Sequence, residues 1–557
     1  MGSCVERIHL GGKTLSRESA RVLGRGLSVN KTVKYVSVGK GPDDSDEFGS
    51  GNEVIGELCQ GIIEGCSQGS SSKLEEVDLS FKGLTSKVES LDDSEETQPL
   101  TVIGSCLSSL PNLTTVNLSR SDLPGQGVSL FLLSSSSGDE GSNSFPKLRE
   151  LNLSESNITP ASGEAIERFL ATRTSNQTIE LDLSSNANLL SLDASTSSFL
   201  TPPFLKNLNS LNLSSCPVTP TSASTSTSSS NDDSNDLHIT TLATTLSTPS
   251  ALNLKTLKLS SMNLPSTFGP LLAAGLVSAN CRITTLELSG NLGLSEGGGI
   301  DVVLESMEHR ADVISSSSTT LVGPKNSTIT NLTISSCNLS PTSSVTALKI
   351  LNLTSLTLFA NALKLPGFTS ISESGLIASH PNLVDLDLGG NDSPQAGTIL
   401  LLESLQSSNN SSGLVLKTLE LGGNEIGSHV ERKLKELERE LPGLDIARDI
   451  PERNAADNMV ARTTVGSGSG SGGGGGGQAP LIPFGASDLP APPSPTSSTL
   501  SQPSSFPQQT LTSSQTPATQ PPVMTDINQM MQAAGWRVQN YQPGTPSPPP
   551  QGENGEQ

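Results

Sequence analysis

Leu416-Lys417-Thr418-Leu419-Glu420-Leu421-Gly422-Gly423-Asn424-Glu425-Ile426 is the stretch on which the reading of this chain turns. Leu419 and Leu421 alternate with polar residues, the period of a strand that sends every second side chain to the same face. Asn424 follows where the chain must turn, and Ile426 brings it back to an apolar interior. The same spacing, L-x-x-L-x-L-x-x-N/C-x-L, returns as Leu353, Leu356, Leu358, Asn361 and Leu363. Further copies begin at Leu74, Leu113, Leu148, Leu208, Leu254, Ile283, Ile329 and Leu383, with degenerate ones at Val5, Val33 and Thr178. Together they make about thirteen units. A single unit cannot bury its own leucines; stacking neighbours can, at roughly 1.5–3 kcal/mol for each large side chain.

The length of a unit reports what lies opposite its strand. Leu254 to Ile283 is 29 residues and Leu353 to Leu383 is 30, enough for a helix. Ser162 to Leu170 has that character, with Ala165, Ile166, Phe169 and Leu170 at helical spacing. Strand, N/C turn and helical return together resemble the ribonuclease-inhibitor class of leucine-rich repeats, over roughly residues 5–446. The resemblance implies an α/β solenoid shaped as a horseshoe, with parallel strands on the concave face and helices on the convex face.

Residues 1–446 are therefore assigned to the solenoid and 447–557 to a tail. Ser428-His429-Val430-Glu431 reads as a capping box opening a terminal helix through Glu440, stopped by Pro442-Gly443. Ser/Gly/Asp-rich stretches at 134–144, 219–236, 312–328 and 407–413 read as loop insertions on the rim. From about Gly466 the chain turns to Gly-Ser and then Pro, Ser, Thr and Gln, which predicts a disordered tail. One island, 525–538, places Ile527, Met530, Met531, Ala534 and Val538 on one helical face near Trp536, a possible short helix for a partner's groove.

Composition narrows the function. A net charge of −22 disfavours nucleic acid and anionic membranes, and favours a basic protein partner. Only 3% of residues are aromatic, low for a large enzyme. The seven cysteines are scattered without C-x-x-C pairs, predicting neither zinc site nor disulfide framework. No signal peptide or apolar span is visible, and Glu6 breaks the myristoylation pattern begun by Gly2. The expectation is a monomer in the cytoplasm, or in a nuclear or perinuclear position, without membrane contact. The Asn-Leu-Ser/Thr tripeptides at Asn112, Asn117, Asn152, Asn212, Asn331, Asn338 and Asn352 are a by-product of the repeat rather than glycan sites.

No nucleotide, metalloprotease or hydrolase motif appears. His9, His238, His309, His380 and His429 lie far apart and read as solvated residues. The acidic runs at 43–47 and 92–96 read as solvated turns, since they lack the spacing of a calcium loop. No catalytic group, metal or cofactor is expected.

Binding is assigned instead to the strand face. Its candidate partner-contacting residues are Glu75, Glu76, Asp78, Asn117, Glu150, Asn152, Glu180, Asp182, Asn212, Glu287, Asp385, Asp387 and Glu420, and Thr115 and Lys258 share that face. Asn186, Cys216, Asn291, Cys337, Asn361, Asn391 and Asn424 are assigned to a ladder that closes the turns.

A weaker resemblance is to the Ran GTPase-activating proteins. It rests on the early Gly12-Lys13-Thr14-Leu15 turn, the long helical repeats and an insertion-bearing unit near the N-terminus. That family's F-T-G-R arginine falls near Leu84-Thr85-Ser86-Lys87 and its turn asparagine on Ser121, and neither residue matches. Lysine lacks the planar fork of a guanidinium. The sequence therefore predicts a non-enzymatic interaction scaffold first, and a GTPase-activating protein for a Ran-like GTPase as the alternative.

Overall fold

The computed structural model describes residues 5–448 apart from 11–14, 39–51, 68–71, 81–98, 124–126, 134–144, 175–176, 192–198, 219–236, 279, 307–327, 342–347, 349–352, 381 and 413–414. The expectations placed on Gly12 to Thr14, on both acidic runs, on 84–87, on the insertions at 134–144 and 219–236, on nearly all of 312–328, and on the tail from 449 with its island at 525–538 lie outside the described residues.

Among the described residues the strands are β1 (Arg7–His9), β2 (Tyr35–Ser37), β3 (Glu76–Asp78), β4 (Thr115–Asn117), β5 (Glu150–Asn152), β6 (Ile179–Asp182) and β7 (Leu208–Asn212). They continue as β8 (Thr256–Lys258), β9 (Thr285–Glu287), β10 (Asn331–Thr333), β11 (Ser355–Thr357), β12 (Asp385–Asp387), β13 (Thr418–Glu420) and β14 (Asp445–Ala447). All fourteen form one sheet in sequence order. Adjacent strands are parallel, as in Leu386↔Leu419 or Leu257↔Leu286. Each repeat start read from the sequence stands at, or at most two residues before, one of the first thirteen strands. The last strand, Asp445–Ala447, lay outside that count because its residues lack the L-x-L signature.

Between strands the chain returns through helices, among them α1 (Arg17–Val29), α2 (Asn52–Ser67) and longer ones such as Gln395–Ser412 and Ser428–Glu440. Paired strands lie about 4.8 Å apart whereas packed helices need about 8–10 Å. Stacking the two in register therefore bends the array, with strands on the concave side and helices on the convex side of an open solenoid.

The core lies between these layers as a column of aliphatic rungs. The central strand residues, from Val36 and Val77 through Leu211 and Leu257 to Leu386 and Leu419, are all buried. The residue two positions later, such as Leu118, Leu213, Leu288 or Leu421, is buried beside them. Ala165, Ile166, Phe169 and Leu170 of helix Pro160–Ala171 face the same interior. A short aromatic stack thickens it: the ring centroids of Phe131 and Phe145 are 5.4 Å apart, and those of Phe145 and Phe169 are 6.0 Å apart and edge-on. Gly163 is required here, since a Cβ on it would stand 2.4 Å from the Phe199 ring.

The first two helices are held more tightly still. A Cβ on Gly61 would lie 2.2 Å from the Arg21 carbonyl, and one on Gly24 would lie 2.1 Å from the Leu58 carbonyl, so the helix backbones touch. Arg21 and Arg25 of α1 reach across to Glu64 of α2, with Arg25 Nη2 at 2.7 Å from its carboxylate. These hydrogen bonds pull the Glu64 carboxyl down to about 2.

Several expectations need correction. His238 and His380 are buried rather than solvated; the His380 Nδ1 lies 2.7 Å from the Leu376 carbonyl, and burial pushes the pKa of both histidines down. The helix Ser428–Glu440 takes Gly427 as its N-cap without a side-chain cap bond, so Ser428 is its first residue and forms no capping box. Residues 407–412 belong to the helix Gln395–Ser412 instead of a rim insertion. Glu75 precedes β3, leaving it at the mouth of the strand face.

The depressed Glu64 carboxyl fixes the sign of one pH dependence. Its folded pKa lies below its unfolded one, so the stability it contributes is present above about pH 4.5 and disappears as pH falls towards 2. Urea titrations of wild type and Glu64→Gln should differ near neutral pH and converge near pH 2; a constant gap contradicts this.

Candidate functional site

The sheet presents two rows of side chains to its open side. In register the first row runs Arg7, Tyr35, Glu76, Thr115, Glu150, Glu180, Ser210, Thr256, Thr285, Asn331, Ser355, Asp385, Thr418 and Asp445. Two residues on, the other row runs His9, Ser37, Asp78, Asn117, Asn152, Asp182, Asn212, Lys258, Glu287, Thr333, Thr357, Asp387, Glu420 and Ala447. Every proposed contact residue except Glu75 falls in one of these rows.

The rows differ in how free their side chains are. Glu150, Glu180 and Asp385 of the first row are exposed. The other row is turned partly inward to serve the chain's own geometry. Asn117 Oδ1 accepts from the Ser119 N–H at 3.0 Å, and Asn152 and Asn212 make the same bond to Ser154 and Ser214. Asp78, Asp182 and Asp387 cap the N–H groups of Ser80, Ser184 and Gly389 in the same way. Such Asx turns end the strand locally. Asp387 is only 5% exposed, so it offers a partner little surface.

Charge is distributed unevenly along the face. Glu76, Asp78, Glu150, Glu180 and Asp182 gather on β3, β5 and β6, and Asp385, Asp387, Glu420 and Asp445 on β12–β14. Between them, β7–β11 carry Ser, Thr and Asn apart from Lys258 and Glu287, which neutralise one another at 2.8 Å. Arg7 lies 3.5 Å from Glu76. Among the described residues no cation pairs with Glu150, Glu180, Asp182 or Asp385. Glu150 and Glu180 are directly opposed across neighbouring strands, a like-charge pairing that raises the energy of the free face.

At the N-terminal end the face changes character, which the sequence reading missed. Arg7 lies over the Tyr35 ring at 4.5 Å from its centroid, and the His9 ring sits 4.9 Å from the same ring. Degenerate repeats at Val5 and Val33 hid this cluster, because its members come from units whose leucine pattern is weakest.

Beneath the face the turns are tied from coil to coil. Asn186 Nδ2 donates to the carbonyls of Leu153 and Leu183, and its Oδ1 accepts from the Ser156 and Ile158 N–H groups. Asn291 repeats this on Leu259, Leu288, Met262 and Leu264. Asn361, Asn391 and Asn424 bond the coils around them in the same manner. Cys216 Sγ reaches the Leu183 carbonyl at 3.1 Å, and Cys337 Sγ the Leu288 carbonyl at 3.3 Å. Buried Ser121 and Ser156 hold the equivalent places, donating to Leu79 and Leu118. The residue ahead of each is left-handed: Arg120, Glu155, Ser185 and Ser215 have φ between 53° and 59°, and Gly290, Gly390 and Gly423 have φ of 72°, 65° and 79°. Each of the first four N–H groups donates to the next coil, which offsets the strain of a side chain in that region.

Residues 146–166 match the family model described as leucine rich repeat. The chain carries leucine-rich repeats. No curated protein matches it. Among solved structures it is similar to a chain of the yeast Rad7 and Elc1 complex, at 12% identity over 80% of this chain and 90% of that one, with a TM-score of 0.34. It is also similar to an internalin, inlF, of Listeria monocytogenes, at 17% identity over 72% and 83% and a TM-score of 0.30. A third is the leucine-rich-repeat-containing protein LegL7 of Legionella pneumophila, at 17% identity over 67% and 93% and a TM-score of 0.32.

The two rows should separate on mutation. Asp182→Ala removes an acceptor bonded to both the N–H and the hydroxyl of Ser184, and should cost about 1–2 kcal/mol in urea unfolding. Glu180→Ala should stay within about 0.5 kcal/mol of wild type. Equal losses at both positions would contradict this division.

Proposed function

We propose that this chain is a non-enzymatic interaction scaffold that grips a basic protein segment on its strand face. The observation carrying this reading is the exposed, directly opposed pair Glu150 and Glu180, with Asp182 beside it and no described cation in ion-pair contact with them. A rigid surface that keeps such charges together gains when lysine or arginine side chains enter, both by relieving their repulsion and by steering the encounter. Glu76 and Asp78 extend the acidic area on β3, and Asp385 supplies a further exposed carboxylate towards the far end. The candidate contacts are therefore Glu75, Glu76, Glu150, Glu180 and Asp385, with Asp182, Glu287 and Glu420 bordering them. Asp78, Asn117, Asn152, Asn212 and Asp387 chiefly shape the strand ends. The chain acts as a monomer in the cytoplasm or about the nucleus, and among the described helices none is long and apolar enough to cross a membrane.

The alternative reading, a GTPase-activating protein for a Ran-like GTPase, finds less support. Ser121, where that family's asparagine would stand, is fully buried, and its hydroxyl is spent on the Leu79 carbonyl within the coil stack. Added to a GTP-loaded Ran-type GTPase, the protein should leave the hydrolysis rate unchanged. Acceleration by orders of magnitude would replace the scaffold reading.

The scaffold itself is tested by capture followed by cross-linking. Partners held by the full chain should cross-link through lysine-rich segments to the strand face, and Glu150→Lys with Glu180→Lys should weaken their capture at least about ten-fold. Partners that cross-link only to the helical side, or that survive the charge reversal, would refute it.

A further inference from the structure

A cavity of about 430 Å³ opens at the N-terminal mouths of β4–β7, on the flank where helices hand over to strands. Its lining inverts the charge of the molecule. Lys147, Arg149 and Arg173 stand in its wall, with Glu180 as the one carboxylate and Gln177 and Asn209 contributing amides. For a chain of net charge −22 this local excess of cations is unusual.

Arg173 anchors the site. It is 4% exposed, and its guanidinium donates to three main-chain carbonyls: Nε to Gln177 at 3.1 Å, Nη1 to Phe145 at 3.0 Å and Nη2 to Leu148 at 2.5 Å. The face of Phe169 lies against it, 5.4 Å from the guanidinium carbon. Burial without a carboxylate brings its pKa down to about 10. A guanidinium has five N–H donors, of which three are spent on these carbonyls, and neutral carbonyls leave its charge uncompensated. Lys147 and Arg149 flank it from the turn before β5 and are exposed. Among the described residues Lys147 Nζ bonds the Asn112 amide oxygen, at 2.9 Å, and Arg149 pairs with no carboxylate.

We propose that this flank pocket binds a phosphomonoester, a phosphate carried on a small organic group. The planar guanidinium fork of Arg149, the uncompensated charge of Arg173 and the ammonium of Lys147 match the several oxygens of a dianion. The volume falls in the range of small-ligand sites and exceeds what a bare phosphate fills, leaving room for the group that bears it. Glu180 and the amide of Asn209, 3.4 Å apart, are placed to meet polar groups on that moiety. The ligand is either a free phosphorylated metabolite or a phosphorylated side chain of a polypeptide, since both offer the same dianion.

Calorimetric titration of the full chain tests this, with O-phosphoserine, serine, inorganic phosphate and a capped Gly-Gly-phosphoserine-Gly-Gly peptide as the probes. Phosphoserine should bind, serine should not, and inorganic phosphate should bind more weakly than phosphoserine. The double variant Lys147→Ala, Arg149→Ala touches only exposed side chains and should melt as wild type does, yet lose at least about ten-fold in affinity, the value of one charge-assisted hydrogen bond. Peptide binding at least as tight as free phosphoserine assigns the site to phosphorylated polypeptides; binding of the free compound alone assigns it to a metabolite. An absence of heat, an affinity unaltered in the double variant, or inorganic phosphate binding as tightly as phosphoserine would overturn the proposal. Glu180 borders both sites, so the two readings are separated by Glu150→Lys, whose residue does not line the pocket, and by the Lys147 and Arg149 changes, which leave the strand-face acids in place.

Discussion

Each coil of this protein must turn sharply in the buried layer beneath its sheet, and every peptide group in that turn needs a partner. The side chains of Asn186, Asn291, Asn361, Asn391 and Asn424 supply those partners by bonding the carbonyls and N–H groups of adjacent coils. An amide is suited to the place because it offers donors and an acceptor from one planar group. Cys216 and Cys337 provide a weaker donor, while Ser121 and Ser156 provide a shorter one. Since each bond crosses from one unit to the next, no coil is satisfied alone, and stability is shared along the array. The aliphatic rungs add bulk to this arrangement, but the ladder fixes the register.

That register is what makes a surface. Once Leu386 stands beside Leu419 and Leu257 beside Leu286, the residues on either side of each leucine are forced into two straight rows on the open face. Their spacing is then set by the sheet rather than by their own preferences. Glu150 and Glu180 stay opposed despite their repulsion because separating them would break the rows beneath. Surface chemistry of this kind is held ready rather than assembled on binding, which lowers the ordering cost a partner has to meet.

The fold was legible because its signal is periodic. Alternating leucines followed by an asparagine or cysteine leave few other structures open, and they located the first thirteen strands from chemistry alone. Features of the molecule that repeat only once were not legible. The strand Asp445–Ala447 has no L-x-L, so nothing in its sequence separated it from a terminal loop. Burial of His238 and His380 depends on which helices pack over them, and no local pattern announces it. The inner-face acids were found by position, but the division between exposed Glu180 and turn-capping Asp182 is a matter of backbone geometry two residues downstream. Arg173 gave no signal at all, because a lone arginine after a helix reads as a solvated residue until the carbonyls around it are seen.

Amide hydrogen exchange along the full chain tests most directly the claim that one continuous, ladder-tied sheet underlies everything else. The account predicts slow exchange at the central strand residues from Val36 through Leu419, in one unbroken series, and a loss of protection on both sides of Asn291 when it is changed to alanine. Protection that breaks into separate blocks, or an Asn291→Ala effect confined to its own coil, would contradict it.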